Sequence, residues 1–541
     1  LMPIEEAVKY LKQSVEEAYA KNGQEVINMY NESIDEALNA IVKIEIPEQW
    51  INIAYKREIT SRNIPEFVRD VVNPINKDEG YSLPVSTFIK YGMEDGTVMA
   101  GTSQYEKLGI SKYVPKWLPE NCVQCTMCSV VCPHAVIRPF LLDDKEMENA
   151  PKSMESIEAK GIKSETPLKF TIGISQLDCK SCGICVKTCT AKDKALVMKP
   201  LEEDGEVVWN YLREEVSVKE NLIDKKKLRD TQFEQPLFEF SRSCAGCGQT
   251  PYIKLLTQLF GDRMMIANAM GCSGSWGGYI SSIPYTINKK GYGPSWASSL
   301  LEDNAEYGIG MFLATKTMRD RITEKVEIML ESNLDNEIKA VLKEWLDNKE
   351  ESEGTRERAD KLVKTIGVLD WTVANDIIQN KEFLVKRSHW IIGGDGWAYD
   401  IGYAGLDHIL ASEQDVNILV LDTELYSNVG GHVSKSSQRG TSAGYATSGK
   451  KTKKKDLGML AINYGDVYVA QVAIGADKNQ LHKAMIEAEN YKGTSLIIAY
   501  APCYEHGIKT GMSNSQEEAK KAVECGYWAL YRYNPMLKEI G

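Results

Sequence analysis

The central part of this chain contains the run Cys122-Val123-Gln124-Cys125-Thr126-Met127-Cys128-Ser129-Val130-Val131-Cys132-Pro133, whose pattern predicts the fold of this region. The same cysteine spacing recurs in Cys179-Lys180-Ser181-Cys182-Gly183-Ile184-Cys185-Val186-Lys187-Thr188-Cys189-Thr190. In such a run, three thiolates of a tight loop take three corners of a [4Fe–4S] cluster, and the fourth cysteine reaches the neighbouring cluster. The spacing therefore predicts two clusters with crossed ligands. One set is Cys122, Cys125, Cys128 and Cys189, and the other is Cys179, Cys182, Cys185 and Cys132.

Zinc is the main alternative for cysteine-rich runs. Structural zinc sites take four ligands in two pairs, whereas this chain has two matching runs of four cysteines, which disfavours zinc. Thr190 stands where the pattern has a proline after the last cysteine. Because proline is not a ligand, this difference leaves the cluster assignment unchanged.

The bulk composition narrows the possible functions. The chain has 541 residues, too many for one hydrophobic core, so two large units with connecting segments are expected. A net charge of -12 argues against nucleic acid or an anionic membrane surface as the main partner, since both favour clustered positive charge. The basic runs at 225–227 and 450–455 favour a solvated charged loop over a docking site for an acidic protein.

The sequence also favours a cytoplasmic redox protein. No apolar stretch approaches the ~20 residues of a membrane-spanning helix, and the first residues have no basic-then-apolar leader. The chain has 13 cysteines without a signal peptide, which indicates metal or redox chemistry rather than a disulfide framework. It starts with Leu1 rather than Met, so we expect it to be a piece of a longer chain.

Four segments can be separated along the chain. Residues 1–59 have helical periodicity and resemble the tail of an upstream α/β domain, and residues 60–100 form a proline-interrupted connector. Residues 101–217 hold the two cysteine runs. In residues 218–541, β-rich runs alternate with helical stretches, which predicts an α/β fold with a doubly wound, mainly parallel sheet. The predicted strands are Met264–Met270, Trp390–Ile392, Val416–Leu421, Val467–Ile474 and Leu496–Tyr500.

Two further features of the second half bear on its chemistry. Cys244, Cys247, Cys272 and Cys503 could close a third four-thiolate site, and the CxxC of the first two suits zinc and iron about equally. Cys525 lies in a helical context and is predicted to be a small buried hydrophobic residue. A Glu- and Lys-rich insertion at about 315–365 is predicted to be exposed helix.

Four polar residues follow predicted strands. Asp395, within Gly393-Gly394-Asp395-Gly396, and Thr423 each come directly after a strand and offer oxygen ligands of the kind that Mg²⁺ prefers. The flanking glycines would let the backbone approach a diphosphate. Cys272 and Cys503 also come just past strand ends. Because ligands bind at the carboxyl edge of open parallel sheets, we predict a cofactor site there.

Several longer strings carry a resemblance to a known family. They are Pro119-Glu120-Asn121-Cys122-Val123-Gln124-Cys125, Ser299-Leu300-Leu301-Glu302-Asp303-Asn304-Ala305-Glu306, Gly394-Asp395-Gly396-Trp397-Ala398-Tyr399-Asp400-Ile401-Gly402-Tyr403 and Leu421-Asp422-Thr423-Glu424-Leu425-Tyr426-Ser427-Asn428. Over nearly its whole length, the chain resembles the carboxyl-terminal half of the single-chain pyruvate:ferredoxin (flavodoxin) oxidoreductases, within the 2-oxoacid:ferredoxin oxidoreductase family. The resemblance implies a thiamine-diphosphate-binding domain with an inserted bacterial-ferredoxin-like α+β domain.

The same resemblance implies roles for individual residues. The third cluster would be bound by Cys244, Cys247, Cys272 and Cys503, and Mg²⁺ by Asp395, Thr423 and the main-chain carbonyl of Leu425. The residues implied to contact thiamine diphosphate are Gln249, Cys272, Gly394, Asp395, Gly396, Trp397, Thr423 and Asn428. The Asn428 amide would also face the substrate. The implied reaction is oxidative decarboxylation of a 2-oxoacid with coenzyme A, from which electrons leave singly through three [4Fe–4S] clusters to ferredoxin or flavodoxin.

The chain departs from the family pattern at three places, one of which is Met29-Tyr30, with Asn31 one place later, where relatives have a Met-Asn that helps to hold coenzyme A. The other two lie near the connector and after Asn428. The Glu-Lys-Arg signature of the connector is Glu106-Lys107-Leu108 here, and the usual Thr-Gly-Gly-Gln after Asn428 is Val429-Gly430-Gly431-His432. The change after Asn428 alters the region near the substrate. For His432, a position in the pocket and a place on a solvent-facing loop both remain open.

The resemblance also sets expectations about partners. We expect a homodimer, and we expect most of the coenzyme A domain and the glutamate that activates thiamine to lie upstream of Leu1 or on a companion chain. Pyruvate is the leading substrate. The alternatives are another 2-oxoacid, or an electron-transfer protein without decarboxylase activity of its own.

Overall fold

The structure is a computed structural model that describes residues 2–20, 23–47, 64–202, 205–278 and 281–539. The chain divides into two compact units, residues 1–63 and 64–541. The first unit contains helices α1 (Ile4–Tyr19) and α2 (Gln24–Asn39). The two helices contact each other through a Lys12–Asp35 ion pair of 2.7 Å and the stacked rings of Tyr19 and Tyr30. The predicted boundary at residues 59 and 60 lies outside the described residues.

The second unit begins with a small helical connector. A π-helical stretch (Val68–Val72) leads into α3 (Asn73–Asn76), and α4 (Val85–Lys90) follows. Phe67 and the valines of the π-helical stretch are buried at its centre. The predicted connector therefore has a small hydrophobic core of its own.

The cysteine runs lie in an α+β region with two antiparallel sheets. In chain order its elements are β1 (Tyr113–Trp117), α5 (Met127–Val130), β2 (Ile137–Leu142), α6 (Asp144–Glu148), β3 (Ile157–Glu158), β4 (Lys169–Ile174), α7 (Ile184–Thr188), β5 (Leu196–Pro200) and α8 (Gly205–Glu214). Strand β1 pairs with β5, and the other sheet has the order β2-β4-β3. Each cysteine run thus crosses from one sheet to the other through a short helix.

A seven-stranded sheet organises the rest of the chain. Its order is β14-β12-β13-β9-β8-β6-β7, and every pairing is parallel except that of the edge strand β14. The strands are β6 (Met264–Ala269), β7 (Ser295–Ser299), β8 (Ser388–Gly394), β9 (Asn417–Asp422), β12 (Tyr468–Val472), β13 (Ser495–Tyr500) and β14 (Tyr531–Tyr533). A short hairpin, β10 (Leu425–Tyr426) and β11 (His432–Val433), follows β9. The parallel α/β sheet predicted from sequence is confirmed, although β7 and β14 were not foreseen.

Helices cover both faces of this sheet. Adjacent strand residues alternate between two cores, so that Trp390 and Ile392 belong to one core and Ile391 to the other. The helices of this part are α9 (Leu228–Thr231), α10 (Thr250–Phe260), α11 (Cys272–Gly277), α16 (Tyr403–Leu410), α17 (Leu457–Ile462), α18 (Lys478–Asn490) and α19 (Ser515–Glu524), with a π-helical turn at Gly396–Ile401. α10 and α18 pack on the first core, and α16 and α17 on the second. A sheet buried on both faces explains the nearly continuous apolar strands.

The charged insertion is a helical subdomain rather than a set of exposed helices. Its elements are α12 (Asn304–Glu331), α13 (Asn336–Asp347), α14 (Thr355–Ile366) and α15 (Thr372–Gln379). Trp345, Leu362 and Ile366 are fully or almost fully buried in a core that these helices share. The prediction of exposed helix is therefore wrong for one face of each helix, because the Glu and Lys residues occupy only the outer face. Among the described helices, none has the length and apolar character needed to cross a bilayer.

The insertion core supplies a matched test of stability. Ile366→Ala removes a fully buried side chain and should cost about 2–5 kcal/mol of local stability. Val368→Ala removes a side chain that is 82% exposed two residues later and should cost very little. Hydrogen exchange of the backbone amides in α12–α15 measures the change in local stability of both variants. Equal protection of the two variants would show that Ile366 is not part of a packed core.

Candidate functional site

Four predicted site residues meet at one edge of the large sheet. Asp395 directly follows β8 and Thr423 directly follows β9, while Cys272 and Cys503 come three residues after β6 and β13. These four strands are adjacent and parallel, in the order β13-β9-β8-β6. Their carboxyl ends therefore lie side by side, and the prediction that these residues share an edge is confirmed.

Oxygen atoms gather around the hydroxyl group of Thr423. The hydroxyl donates to Asp395 Oδ1 and contacts the carbonyl oxygen of Leu425, each at 3.0 Å, and it lies 2.7 Å from Ser427 Oγ. The Ser434 hydroxyl donates to Asp395 Oδ2 at 2.5 Å. The three atoms predicted to bind Mg²⁺ are thus neighbours.

The electrostatics of this oxygen group favour a bound cation. Asp395 is 1% exposed, and burial followed by the nearby charge of Asp422 raises the pKa of its carboxyl group well above the usual range. Its side-chain hydrogen-bond partners in the described part of the chain are hydroxyl groups, which supply no positive charge. A buried carboxylate of this kind is stabilised by a metal ion.

The backbone around Asp395 is open on one side and closely packed on the other. A Cβ atom at Gly394 would meet only Leu421 O at 3.9 Å, whereas a Cβ at Gly396 would lie 2.3 Å from the Tyr426 ring. Trp397 is fully buried, and its Nε1 has no hydrogen-bond partner among the described residues. Gly394 therefore leaves free space, while Gly396 permits close packing.

The two remaining predicted contacts differ in burial. Gln249 is 5% exposed, stands immediately before α10 and accepts a hydrogen bond from Trp276 Nε1 at 3.2 Å. Asn428 is exposed on the 3₁₀ turn Ser427–Val429, which leads into the hairpin. His432 is half-buried, with its ring centroid 4.4 Å from that of Tyr445.

The cysteines of the two runs are grouped across the runs. Burial, followed by the nearby thiols of Cys125, Cys122 and Cys189, raises the pKa of Cys128. Burial, with Cys132 and Cys182 nearby, raises the pKa of Cys179 to about 12. Cys189 therefore lies with the first run and Cys132 with the second, which is the crossed arrangement that the spacing predicts.

The third group of cysteines lies beside Asp395. Burial raises the pKa of Cys272, and the nearby side chains of Cys247, Cys503, Cys244 and Asp395 raise it further. Residues far apart in sequence thus meet next to the oxygen group. Among the described residues, no group of three or more His, Cys, Asp or Glu side chains is placed so that it could hold one metal ion. A [4Fe–4S] cluster binds one thiolate at each of several irons, so its ligands stand apart.

Two side chains connect the cysteine group to the oxygen group, and neither was predicted. His506 Nδ1 accepts from the Cys503 backbone N–H at 3.3 Å, and its Nε2 lies 2.7 Å from Thr423 O. Ser427, which contacts the Thr423 hydroxyl, also donates toward Cys503 and opposes the rise that burial causes in its pKa. Only the proximity of the two loops reveals these residues, since a lone His or Ser carries no sequence signal.

A buried charged network supports the loop after β9. Lys454 Nζ lies 3.0 Å from Asp422 Oδ2 and 2.8 Å from Glu424 Oε1. Asp422 also accepts hydrogen bonds from the hydroxyls of Tyr399 and Ser436. The prediction that the 450–455 run is a solvated loop is therefore wrong for Lys454, whose side chain is only 17% exposed because it neutralises buried carboxylates.

Cys525 also differs from its predicted environment. It is exposed just after the last residue of α19, whereas the buried face of that helix is formed by Ser515, Gln516 and Ala519. The prediction of a buried residue is wrong because Cys525 falls outside this stripe. It takes no part in the cysteine groups described above.

Comparison with known proteins finds relatives that match this chain over its whole length. Curated relatives are the pyruvate-flavodoxin oxidoreductase of Enterobacter agglomerans and the pyruvate:ferredoxin oxidoreductase of Moorella thermoacetica, each 50% identical over 100% of this chain and 46% of the relative. The chain is homologous to the carboxyl-terminal part of these oxidoreductases. It spans about half the length of the curated relatives it matches.

A family model and a solved structure also match parts of this chain. The family model EKR, described as a domain of unknown function, matches residues 54–111. A solved 2-oxoglutarate:ferredoxin oxidoreductase from Magnetococcus marinus is 14% identical, with a TM-score of 0.28 over 49% of this chain and 64% of that one. A similarity this low supports no further argument.

The EKR match covers the altered signature of the connector. Glu106 forms an ion pair with Arg242 at 2.8 Å, and Lys107 pairs with Asp178, the residue before Cys179. Leu108 is 43% exposed where the resemblance has arginine. The two charged residues that this chain retains therefore join the segment just after the connector to the segments that carry Cys179 and Cys244.

Removing the charge of Lys454 tests the network beneath the oxygen group. Lys454→Met leaves Asp422, which is fully buried, without its cation, and should cost about 3–5 kcal/mol. Thermal unfolding followed by circular dichroism should show a lower midpoint. Lys453→Met changes the exposed preceding lysine and should leave the midpoint unchanged. Identical midpoints for the two variants would argue against a role for the buried ion pairs.

Proposed function

We propose that this chain carries the cofactor site and electron-transfer clusters of an enzyme that oxidises pyruvate with coenzyme A to acetyl-CoA and CO₂, with ferredoxin or flavodoxin as electron acceptor. The observation that carries the proposal is the position of Cys272 beside Asp395, within a group of four cysteines. A metal-held cofactor and a redox cluster would then be neighbours. The names of the 50% identical relatives support the same activity.

Asp395, Thr423 and the Leu425 carbonyl would hold Mg²⁺, and through it the diphosphate of thiamine diphosphate. The oxygens of Asp395 and Leu425 each lie 3.0 Å from the Thr423 hydroxyl, and a bound cation would stabilise the ionised form of the buried Asp395 carboxyl group. The free space over Gly394 suits the close approach of a phosphate group. Gln249, Gly396 and Trp397 would shape the remainder of the cofactor site.

The three cysteine groups would each hold a [4Fe–4S] cluster. Crossed grouping of the two runs supports a bacterial-ferredoxin-like domain at 101–217, in which each run gives its fourth ligand to the other cluster. Cys244, Cys247, Cys272 and Cys503 would hold the third cluster. Their position next to the oxygen group supports iron rather than zinc, because only a redox cluster has a use for electrons from that site.

This division of roles accounts for the side chains that line the site. When bound, thiamine diphosphate supplies the electron sink for decarboxylation and the clusters supply one-electron carriers. The protein then has to bind, orient and shield the reactants. Asn428 is exposed beside the hairpin, where its amide can donate to a substrate carboxylate. Ser427 and His506 would hold the loops of Thr423 and Cys503 at a constant separation.

We further propose that residues 1–541 are one part of the catalytic unit. The remaining parts would be an amino-terminal region or a companion chain that supplies coenzyme A contacts and the activating glutamate, within a homodimer. The chain spans 46% of its curated relatives, which supports this division. Steady decarboxylation of pyruvate by these residues alone would contradict it.

A substitution of Asp395 tests the cofactor site. In the complete enzyme, Asp395→Asn removes the negative charge proposed to hold Mg²⁺. Affinity for thiamine diphosphate should fall more than about 100-fold, beyond the cost of losing an outer partner at a metal site. Calorimetric titration in the presence of Mg²⁺ measures this affinity. Pyruvate-dependent cluster reduction should be lost while dithionite still reduces the clusters.

Asp360→Asn is the control, since Asp360 is exposed on α14 and should leave both measurements unchanged. If Asp395→Asn still binds thiamine diphosphate normally and reduces its clusters with pyruvate, this edge of the sheet is not the cofactor site. The electron-transfer alternative would then be favoured.

Iron analysis tests the number of clusters. Three cubane clusters require about 12 iron and 12 acid-labile sulfide per chain. Cys503→Ser should reduce both to about eight by removing a ligand of the third cluster. Cys525→Ser, which changes an exposed cysteine outside the three groups, should keep about 12. About eight of each in the unmodified protein would rule out the third cluster.

A further inference from the structure

Lys254 is a buried lysine between the cofactor domain and the first cysteine run. It lies on α10 and is 1% exposed. Its ammonium group donates to the carbonyl oxygen of Ser129 and to Gln232 Oε1, the latter at 3.2 Å. Ser129 belongs to α5, the short helix that follows the loop of the first run. The ammonium group of Lys254 therefore lies at the middle of the first cysteine run.

The hydrogen-bond partners of Lys254 do not neutralise it. Both are uncharged oxygens, and within the described residues Lys254 forms no ion pair. Other buried cations of this protein do have carboxylate partners: Lys454 has Asp422, and Arg138 has Glu239. An unpaired buried ammonium group is costly, so this site needs an anionic neighbour of another kind.

The cysteines on either side of Ser129 provide that neighbour. Burial lowers the pKa of Lys254 to about 8, and the nearby charge of Arg138 adds to this fall. Cys132 and Cys128, when they are ionised, act against it. Cys128 and Cys132 belong to different cysteine groups. One lysine thus stands close to both of the cluster sites proposed for residues 101–217.

We infer that Lys254 is a fixed positive charge that raises the reduction potentials of the two clusters proposed for the paired cysteine runs. The inference rests on the cluster sites of the proposed function. Reduction adds a negative charge to a cluster, and a cation in a poorly solvated interior stabilises that charge strongly. Burial makes Lys254 effective, since water and salt screen an exposed lysine. Lys254 thus favours the transfer of electrons to these two clusters and takes no part in the chemistry of the substrate.

A purely structural role is the competing explanation. As a hydrogen-bond donor, Lys254 could simply hold α5 against α10. Lys254→Gln separates the two roles, because its amide retains a donor while the charge is lost. Lys254→Arg retains the charge. Lys187→Met removes an exposed lysine within the second run and serves as a solvent-screened control.

The experiment is a potentiometric titration of the anaerobically purified complete enzyme, followed by electron paramagnetic resonance, with iron content measured on each sample. In Lys254→Gln the midpoint potentials of the two clusters should become more negative, with a smaller change at the third cluster. Lys254→Arg should keep the original potentials, and Lys187→Met should shift them less than Lys254→Gln does.

Unchanged potentials in Lys254→Gln, with all clusters present, would overturn the inference while leaving the proposed function intact. Should that variant lose its clusters, Gln232→Glu decides the matter. It places a carboxylate next to the retained ammonium group and should lower the same two potentials. If Gln232→Glu leaves them unchanged, the inference is also wrong. Absence of clusters from the unmodified protein would instead contradict the proposed function.

Discussion

The parallel pairing of four central strands brings the residues of this site together. β13, β9, β8 and β6 run side by side in the same direction, so the residues that follow them emerge at one edge. Hydrogen bonds between the strands leave little freedom in that register. An antiparallel neighbour would send Thr423 or Asp395 to the opposite edge of the sheet, and the oxygen group could not form.

The loops at this edge are connected to one another as well as to the sheet. His506 joins the Cys503 backbone to the Thr423 carbonyl, and Ser427 joins the same two loops through their side chains. A displacement of one loop therefore displaces the other. Such coupling would suit the proposed site, in which a cofactor and a cluster keep a constant separation.

Charged side chains are buried at several places in the molecule. Lys454 with Asp422, and Arg138 with Glu239, are buried ion pairs whose partners come from distant parts of the chain. Each pair stabilises one particular arrangement of segments, since breaking it leaves an uncompensated charge in the interior. Lys254 is also a buried cation, but its hydrogen-bond partners are uncharged oxygens rather than a carboxylate. Its position therefore favours a negative charge near the cysteines.

Sequence patterns were enough to predict the local features: the two cysteine runs and their crossed grouping, the parallel strands, and the positions of Asp395 and Thr423 after strand ends. These follow from spacing and periodicity, which act over short distances along the chain. The folded structure was needed to show that Ser427 and His506 connect the loops of Thr423 and Cys503, and that Lys454 and Lys254 are buried. Such contacts join residues far apart in sequence, and the burial that makes a charge matter is a property of the folded chain alone. For the same reason, the exposed position of Cys525 and the packed core of the helical insertion were missed.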